Sequence, residues 1–357
     1  MKNNLFALMA ATAVMLAGCG TEAPDSAGPA TDAAGGNPIR LASVADGKSI
    51  RLAYVTNGID PFWTIAAAGV KAGAKDLGVE CEVLMPPKGL VDQKRMIEGV
   101  LSNGVDGIAI SPIDAANQVE FINQAAALTN VITQDSDVPG SNRLCFIGMD
   151  NYKAGRQAGV LIKEVLPEGG KVMIFVGRLE QLNAQQRRQG VIDELLDRPV
   201  QSGTEVRFDL AAAKLVNARY EIVGTRTDNF DYAKAKSNAE DAIATFGDLR
   251  CMVGLFAYNV PNCLAAVKEA GKTGTIKIVS FDEADDTLQG IIDGHVHGTV
   301  SQQPYQYGYQ SVRVLTALAK GDKSVIPKGG FLEVESVVVR KDNVEDFWAK
   351  LKILRAE

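Results

Sequence analysis

The chain has 357 residues, a length that suits about two domains. Lys and Arg total 37 against 43 Asp and Glu, and the net charge of -6 argues against a chain built to coat nucleic acid or anionic lipid. With 46% apolar and 22% charged residues it can bury a core; two histidines exclude a three-histidine metal site, and five cysteines are too few for a disulfide scaffold.

The first segment reads as an address. Lys2 precedes an apolar run from Leu5 to Ala17, shorter than the about 20 residues of a membrane-spanning helix but suited to the core of a signal peptide. The run closes on Leu16-Ala17-Gly18-Cys19, which resembles the lipobox of bacterial lipoproteins. That resemblance implies a signal peptide over residues 1–18 and lipidation of Cys19. A plain secretory signal with an incidental cysteine is the alternative. Residues 19–48 are rich in Ala, Gly, Pro, Ser and Thr, bury too little to offset their ordering entropy, and read as a flexible tether. The protein is therefore expected in the periplasm or on the outer face of a membrane, held there by its lipid alone.

From Ser49 onward, short apolar runs alternate with stretches of helical period. Ile50–Val55 reads as a strand and Phe62–Leu77 as a helix ended by Gly78. The alternation continues through Val79–Met85, Gln93–Asn103, Gly107–Ile110, Ala115–Leu128, Val131–Thr133, Cys145–Gly148, Ala154–Val165 and Lys171–Val176. Later strands are expected at Glu221–Gly224, Cys251–Ala257, Lys277–Phe281 and Gly298–Val300, whereas 198–219 is irregular and reads as an insertion. Nearly continuous apolar strands separated by helices mean parallel sheets covered on both faces. There are too many strands for one small open sheet, so the expected fold is α/β, two doubly wound parallel-sheet lobes.

In such sheets ligands bind beyond the carboxyl ends of the strands. Those ends deliver Thr56-Asn57-Gly58-Ile59-Asp60-Pro61-Phe62-Trp63, then Gln134-Asp135-Ser136-Asp137, then Asp228-Asn229-Phe230-Asp231, Tyr258-Asn259, Asp282-Glu283 and Ser301-Gln302-Gln303. Asp, Asn and Gln beside Phe and Trp suit a polyhydroxylated ring. Each hydroxyl donates and accepts, while the C–H faces lie flat on an aromatic side chain. No lysine cluster appears there, so a phosphate-rich ligand is not expected.

At these residues the sequence resembles the periplasmic sugar-binding proteins of the ribose-binding type, which deliver ligands to ABC transporters. The likeness covers roughly 50–340. Asp60-Pro61-Phe62-Trp63 resembles the family's first strand-end loop, where Asn is common at the first position. Thr133-Gln134-Asp135 resembles the fourth strand end, with Ser136 where Arg is frequent. Asn183-Ala184-Gln185-Gln186-Arg187-Arg188-Gln189-Gly190 resembles the helix start that carries the ligand-binding arginine; Arg187 is assigned that role, and Asn183 or Gln185 could share it. Asn229-Phe230-Asp231, Phe256-Ala257-Tyr258-Asn259, Ser280-Phe281-Asp282 and Val300-Ser301-Gln302-Gln303-Pro304 complete the set. The resemblance implies a periplasmic binding protein of type I, its lobes joined by three crossings near Asp150, Gln302 and Gly330. The first lobe would be 49–150 plus 303–329 and the second 151–302 plus 330–357. Asp60, Phe62, Trp63, Asp135 and Ser136 would meet Asn183, Arg187, Phe230, Asn259 and Asp282 across a cleft, with Gln302 at a hinge. A monosaccharide or related polyol would close the hinge, and the closed monomer would be presented to an ABC permease. Asp60 and Ser136 change the donor–acceptor pattern and point away from ribose itself. Trp63 is expected to be a stacking platform whose removal abolishes binding at little cost to the fold.

Plainer roles fit some of these residues too. Phe62 or Trp63 could pack inward, Asp60 could serve only as an N-cap, Asp135 and Asp282 only as turn residues, and Arg187 only as an ion-pair partner. His295 and His297 lack a third ligand and read as a solvated strand end. Cys81, Cys145, Cys251 and Cys263 read as buried free thiols. The chain holds no Gly-x-Gly-x-x-Gly, no Gly-x-x-x-x-Gly-Lys-Ser/Thr and no Gly-x-Ser-x-Gly, so neither a cofactor nor catalysis is expected. The alternatives are a sensor presenting its closed form to a receptor kinase or chemoreceptor, and a secreted glycosidase built on Asp60, Asp135 and Asp282. A regulator of the same body would need an N-terminal helix-turn-helix where this chain has an export signal, and no nucleic acid is expected as partner.

Overall fold

The computed structural model describes residues 47–201, 206–211 and 213–356. The signal peptide, Cys19 and all of the tether except its last two residues lie outside them. No described helix is long and apolar enough to cross a membrane.

The first lobe is built by β1 (Arg51–Val55), α1 (Pro61–Leu77), β2 (Glu80–Leu84), α2 (Leu90–Ser102), β3 (Gly107–Ile110), α3 (Val119–Ala126), β4 (Asn130–Gln134) and β5 (Phe146–Gly148). After Arg51 every residue of β1 is buried, as in a strand covered on both faces. The chain then crosses at Met149-Asp150 to a second lobe of α4 (Asn151–Val165), β6 (Gly170–Val176), α5 (Leu182–Leu195), β7 (Leu215–Val216), β8 (Tyr220–Thr227), α6 (Tyr232–Thr245), β9 (Leu249–Gly254), α7 (Asn259–Glu269), β10 (Lys277–Phe281), α8 (Asp285–Ile292) and β11 (Gly298–Ser301). At Gln302-Gln303 it returns for α9 (Pro304–Ala319), which packs on α1, β3 and β4. The chain ends in β12 (Phe331–Glu333), β13 (Val337–Val339) and α10 (Val344–Ala356).

The first sheet has the order β12-β5-β4-β3-β1-β2, all parallel. The second has the order β13-β11-β10-β9-β6-β8-β7, antiparallel only at its two ends. Strand order reverses between β1 and β3 in the first and between β6 and β9 in the second. Those are the points where adjacent connections leave toward opposite faces and open a crevice beyond the strand ends.

One boundary differs from the sequence reading. Phe331–Glu333 pairs in parallel with Phe146–Gly148 of the first sheet, so the third crossing lies at Val334–Ser336 and not at Gly330. Three residues, two apolar and one acidic, are too few to reveal which sheet they join. Among its described residues, the irregular stretch 198–219 supplies the short edge strand β7, and Asp209 anchors part of it through Gln189 and Arg198. Cys145, Cys251 and Cys263 are buried free thiols, whereas Cys81 is half-buried. His297 is not merely solvated: it meets Glu164 at 3.0 Å, and Glu164 also pairs with Arg340.

Two pairs of glycines set how closely helices approach. A Cβ on Gly69 of α1 would lie 1.9 Å from the carbonyl oxygen of Tyr305, and one on Gly308 of α9 would lie 2.0 Å from that of Ala66. In the second lobe, a Cβ on Gly155 of α4 would stand 2.2 Å from the carbonyl oxygen of Arg187, and one on Gly190 of α5 2.2 Å from that of Tyr152. The α4–α5 contact therefore fixes the depth at which α5 carries Arg187. The C-terminal α10 touches both α1 and α8, with Val344, Phe347, Trp348, Leu351 and Leu354 forming its apolar stripe.

Candidate functional site

In the first lobe, the loop after β1 is shaped by its own polar groups. Thr56 Oγ1 donates to the Gly58 carbonyl at 2.7 Å, and Asp60 caps α1, its Oδ1 accepting from the Phe62 amide at 2.8 Å. Pro61 at the first helical position has no N–H to leave unpaired there. Phe62 and Trp63 meet edge to face, with centroids 4.8 Å apart. Trp63 Nε1 donates to Asn57 Oδ1 at 3.1 Å, and Asn57 Nδ2 donates in turn to Ser111 Oγ and Asp135 Oδ2. Behind them, buried Gln93 donates to the carbonyls of Thr56 and Ser111, both at 2.8 Å. The ends of β1, β3 and β4 are thus tied into one rigid polar floor.

In the second lobe, Asn183 and Arg187 stand four residues apart on one face of α5. Arg187 is fully buried. Its Nε donates to Asn151 Oδ1 at 2.9 Å, Nη1 to the Leu255 carbonyl at 3.0 Å, and Nη2 to Gln302 Oε1 at 2.7 Å. Gln302 Nε2 donates onward to Asp282 Oδ1 at 2.7 Å. Arg187 Nη2 also lies 3.7 Å from Asp135 Oδ1, and Asn183 Nδ2 reaches both Asp135 oxygens at 3.3 Å. A continuous polar chain therefore runs from one lobe to the other. Aromatic rings flank it: Phe230 stacks on Phe256 with centroids 5.6 Å apart, and the Arg187 guanidinium lies 5.4 Å from the Phe256 ring.

These groups enclose a cavity of about 30 Å³. Of the residues expected from sequence, Asp60, Phe62, Trp63, Asp135, Asn183, Arg187, Phe230, Asp282 and Gln302 line it. Two do not. Asn259 is turned to structural work: its Nδ2 donates to Asp228 at 3.0 Å and its Oδ1 accepts the Phe256 amide at 3.0 Å. Ser136 is buried behind the wall, after Asp135 turns the chain out of β4 with a left-handed φ of 62°. Asn57, Phe256 and Tyr258 line the cavity although the sequence reading did not assign them. Their signal was their place in the same strand-end segments, since each sits within three residues of a residue that was assigned. Trp63 is 3% exposed and packs in the first lobe's core, so its removal cannot be cheap for the fold, contrary to expectation.

The periplasmic binding protein domain matches residues 50–323. The chain belongs to that family. Among its relatives in the family, the ribose import binding protein of Haemophilus influenzae is 25% identical over 272 residues, which cover 74% of this chain and 83% of that one. The D-allose-binding periplasmic protein of Escherichia coli is 24% identical, over 75% of this chain and 83% of its own. Among solved structures, an ABC transporter solute-binding protein from Burkholderia graminis in complex with D-arabinose has a TM-score of 0.74 at 26% identity, covering 84% of this chain and 98% of that one. The glucose-galactose binding protein of Geobacillus stearothermophilus gives 0.73 at 25% identity, over 83% and 99%.

As in other polar clefts, burial governs the electrostatics of this periplasmic binding protein. It raises the carboxyls of Asp135 and Asp282 above their ordinary range, and nearby Arg187 works against that rise in both. Burial also raises Glu283, reinforced by the charge of Asp282 next to it. Asp228 is pushed up to about 6 by burial, although Tyr258, Phe230 and Asn259 all donate to it. Asp60, raised by burial, accepts from Tyr232 Oη at 2.9 Å, a bond that also spans the lobes. Desolvated acceptors of this kind gain most from an added donor, because the charged form is the one a hydroxyl stabilises.

Backbone strain collects at the same place. Of six non-glycine residues with left-handed φ among those described, Asp135, Asn229, Phe230, Asp282 and Gln303 stand on the loops around the cavity; only Asp197 does not.

Proposed function

We propose that this protein captures a monosaccharide or related polyol between its lobes by hinge closure and delivers it to an ABC importer, anchored outside the cytoplasm through lipidated Cys19. One observation carries the reading: Asp135, Arg187, Gln302 and Asp282 form a single polar chain across the lobes, with an ion pair at its Asp135–Arg187 link, hydrogen bonds at the other two and Asn183 donating to Asp135 beside it, set between Phe62 and Trp63 on one side and Phe230 and Phe256 on the other. Alternating acceptors and donors beside flat rings match a hydroxylated ring with apolar faces. The relatives named for ribose and allose support a sugar as ligand. The lipid anchor rests on Leu16-Ala17-Gly18-Cys19 alone.

A cavity of about 30 Å³ is on the scale of a water molecule, so a sugar enters only if the lobes part. Opening breaks the Asn183–Asp135 and Tyr232–Asp60 bonds, and a ligand touching both sides restores the closed form. Thermal unfolding against a panel of aldoses, ketoses and polyols tests this. The correct ligand at 100 times its Kd should add about 2.7 kcal/mol of stability. A panel in which no sugar or polyol moves the midpoint overturns the proposal.

A further inference from the structure

Beside the central cavity lies a much wider one, of about 900 Å³. Ile59, Thr64, Ile65 and Met85 of the first lobe form one wall, and Tyr232, Pro261 and the 282–286 run of the second lobe form the other. The two cavities share Asp60, Phe62, Ala257, Tyr258 and Asp282, so they adjoin along one edge of the candidate site. That volume lies in the range of pockets built for whole small molecules, whereas the central cavity alone is far below it.

The walls have a definite chemistry. Ile59 is 66% exposed and Tyr232 45%, the latter with its ring 4.9 Å from that of Tyr258, so both apolar and aromatic surface faces the cavity. The wall that holds Tyr232 also carries Asp282, Glu283, Asp285 and Asp286, with Arg355 as its cation. Asp285 is already engaged by Trp348 Nε1 and Arg355, but Glu283 is not fully used. Its side chain is buried, Oε2 accepts from Ser301 Oγ at 2.7 Å, and the shielded Oε1 has no hydrogen-bond partner among the described residues. A buried acceptor left open costs free energy that a donor would recover. An aromatic ring and an incompletely partnered acidic side chain along one wall, facing the apolar Ile59 and Ile65 of the other, are again the pairing that suits a sugar ring, which has both C–H faces and hydroxyl donors.

The geometry points to a second sugar subsite in the wider cavity, so that the full ligand is a disaccharide. One ring sits at Asp135, Arg187 and Gln302, and the glycosidically linked ring lies in the wider cavity, along the wall that holds Tyr232 and Glu283 and facing Ile59. This rests on the sugar reading above and narrows it. Isothermal titration of the full-length chain with glucose, galactose, ribose, arabinose and allose, and with maltose, cellobiose, lactose and melibiose, tests it. At least one disaccharide is expected to bind tenfold or more tightly than either component sugar. Thr64 is exposed on α1 and lines only the wider cavity, so Thr64→Trp should remove that gain while leaving monosaccharide affinity unchanged; Ile59→Glu reads the same loss from a second position. Disaccharides that never bind more tightly than their component sugars, or a Thr64→Trp protein that keeps the tenfold preference, would overturn the second subsite and leave the sugar reading standing. Failure of every sugar, single or linked, removes both.

Discussion

Asp228 never reaches the central cavity, yet it holds three donors that shape it: the Tyr258 hydroxyl, Asn259 Nδ2 and the Phe230 amide. Its carboxyl titrates at about 6 in the folded chain, against about 4 for an ordinary aspartate. The folded state therefore binds more protons than the unfolded state between those values, and the sign follows. Its contribution is fully favourable below about pH 4 and is lost as pH rises through 6, a change of up to about 3 kcal/mol. Asp135, Asp282, Glu283 and Asp60 act in the same direction, so the test is a difference: Asp228→Asn should flatten the stability curve over that window relative to the parent. Parallel unfolding midpoints for the two proteins from pH 4 to 7 would refute the assignment. At this scale the sequence was most legible where a residue directly follows a strand and lines the cavity, as Asp135 after β4 and Gln302 after β11 do, whereas Arg187 stands inside α5. It misled at Asn259, because an amide beside a cavity looks the same in sequence whether it faces inward or holds a loop. It misled also at Trp63, whose indole does two jobs: its Nε1 orders Asn57 while its rings pack against Tyr54 and Phe62.

Elements were legible through their periods and stops. Gly78 ends α1 with a left-handed φ of 64°, and β3 is an apolar run buried along its whole length, as is the Val131–Ile132 centre of β4. Pairing was not legible, since β12 meets β5 across a long sequence separation and a period of two does not name the partner. Nor was helix proximity, although it positions the site. Gly190 lets α5 press against the backbone of α4 at Tyr152, three residues from Arg187. Gly190→Ala should push α5 outward, costing about 2–4 kcal/mol of stability and at least tenfold in ligand affinity, although residue 190 touches no ligand. Binding that survives the substitution at full strength, with the midpoint lowered, would separate packing from positioning and count against this account.

At the scale of the molecule, two sheets turn their strand ends toward each other and are joined at 149–150, 302–303 and 334–336. Small-angle scattering should show the radius of gyration contracting when the correct sugar is added, and an unchanged radius would speak against hinge motion. The two-lobed plan was legible from strand number alone, but the role of α10 was not: its apolar stripe meets α1 of one lobe and α8 of the other. Finally, the five left-handed residues around the cavity have a consequence for anyone evolving this chain. Asp135, Asn229, Phe230, Asp282 and Gln303 are held in backbone shapes that glycine would adopt with less effort. A screen for heat resistance could therefore accept glycine at Asn229, which lines neither cavity, but not at Asp135 or Asp282, which offset the buried charge of Arg187, nor at Phe230, which stacks on Phe256. The strain at those three is the part of the fold that selection for hardiness alone cannot relax.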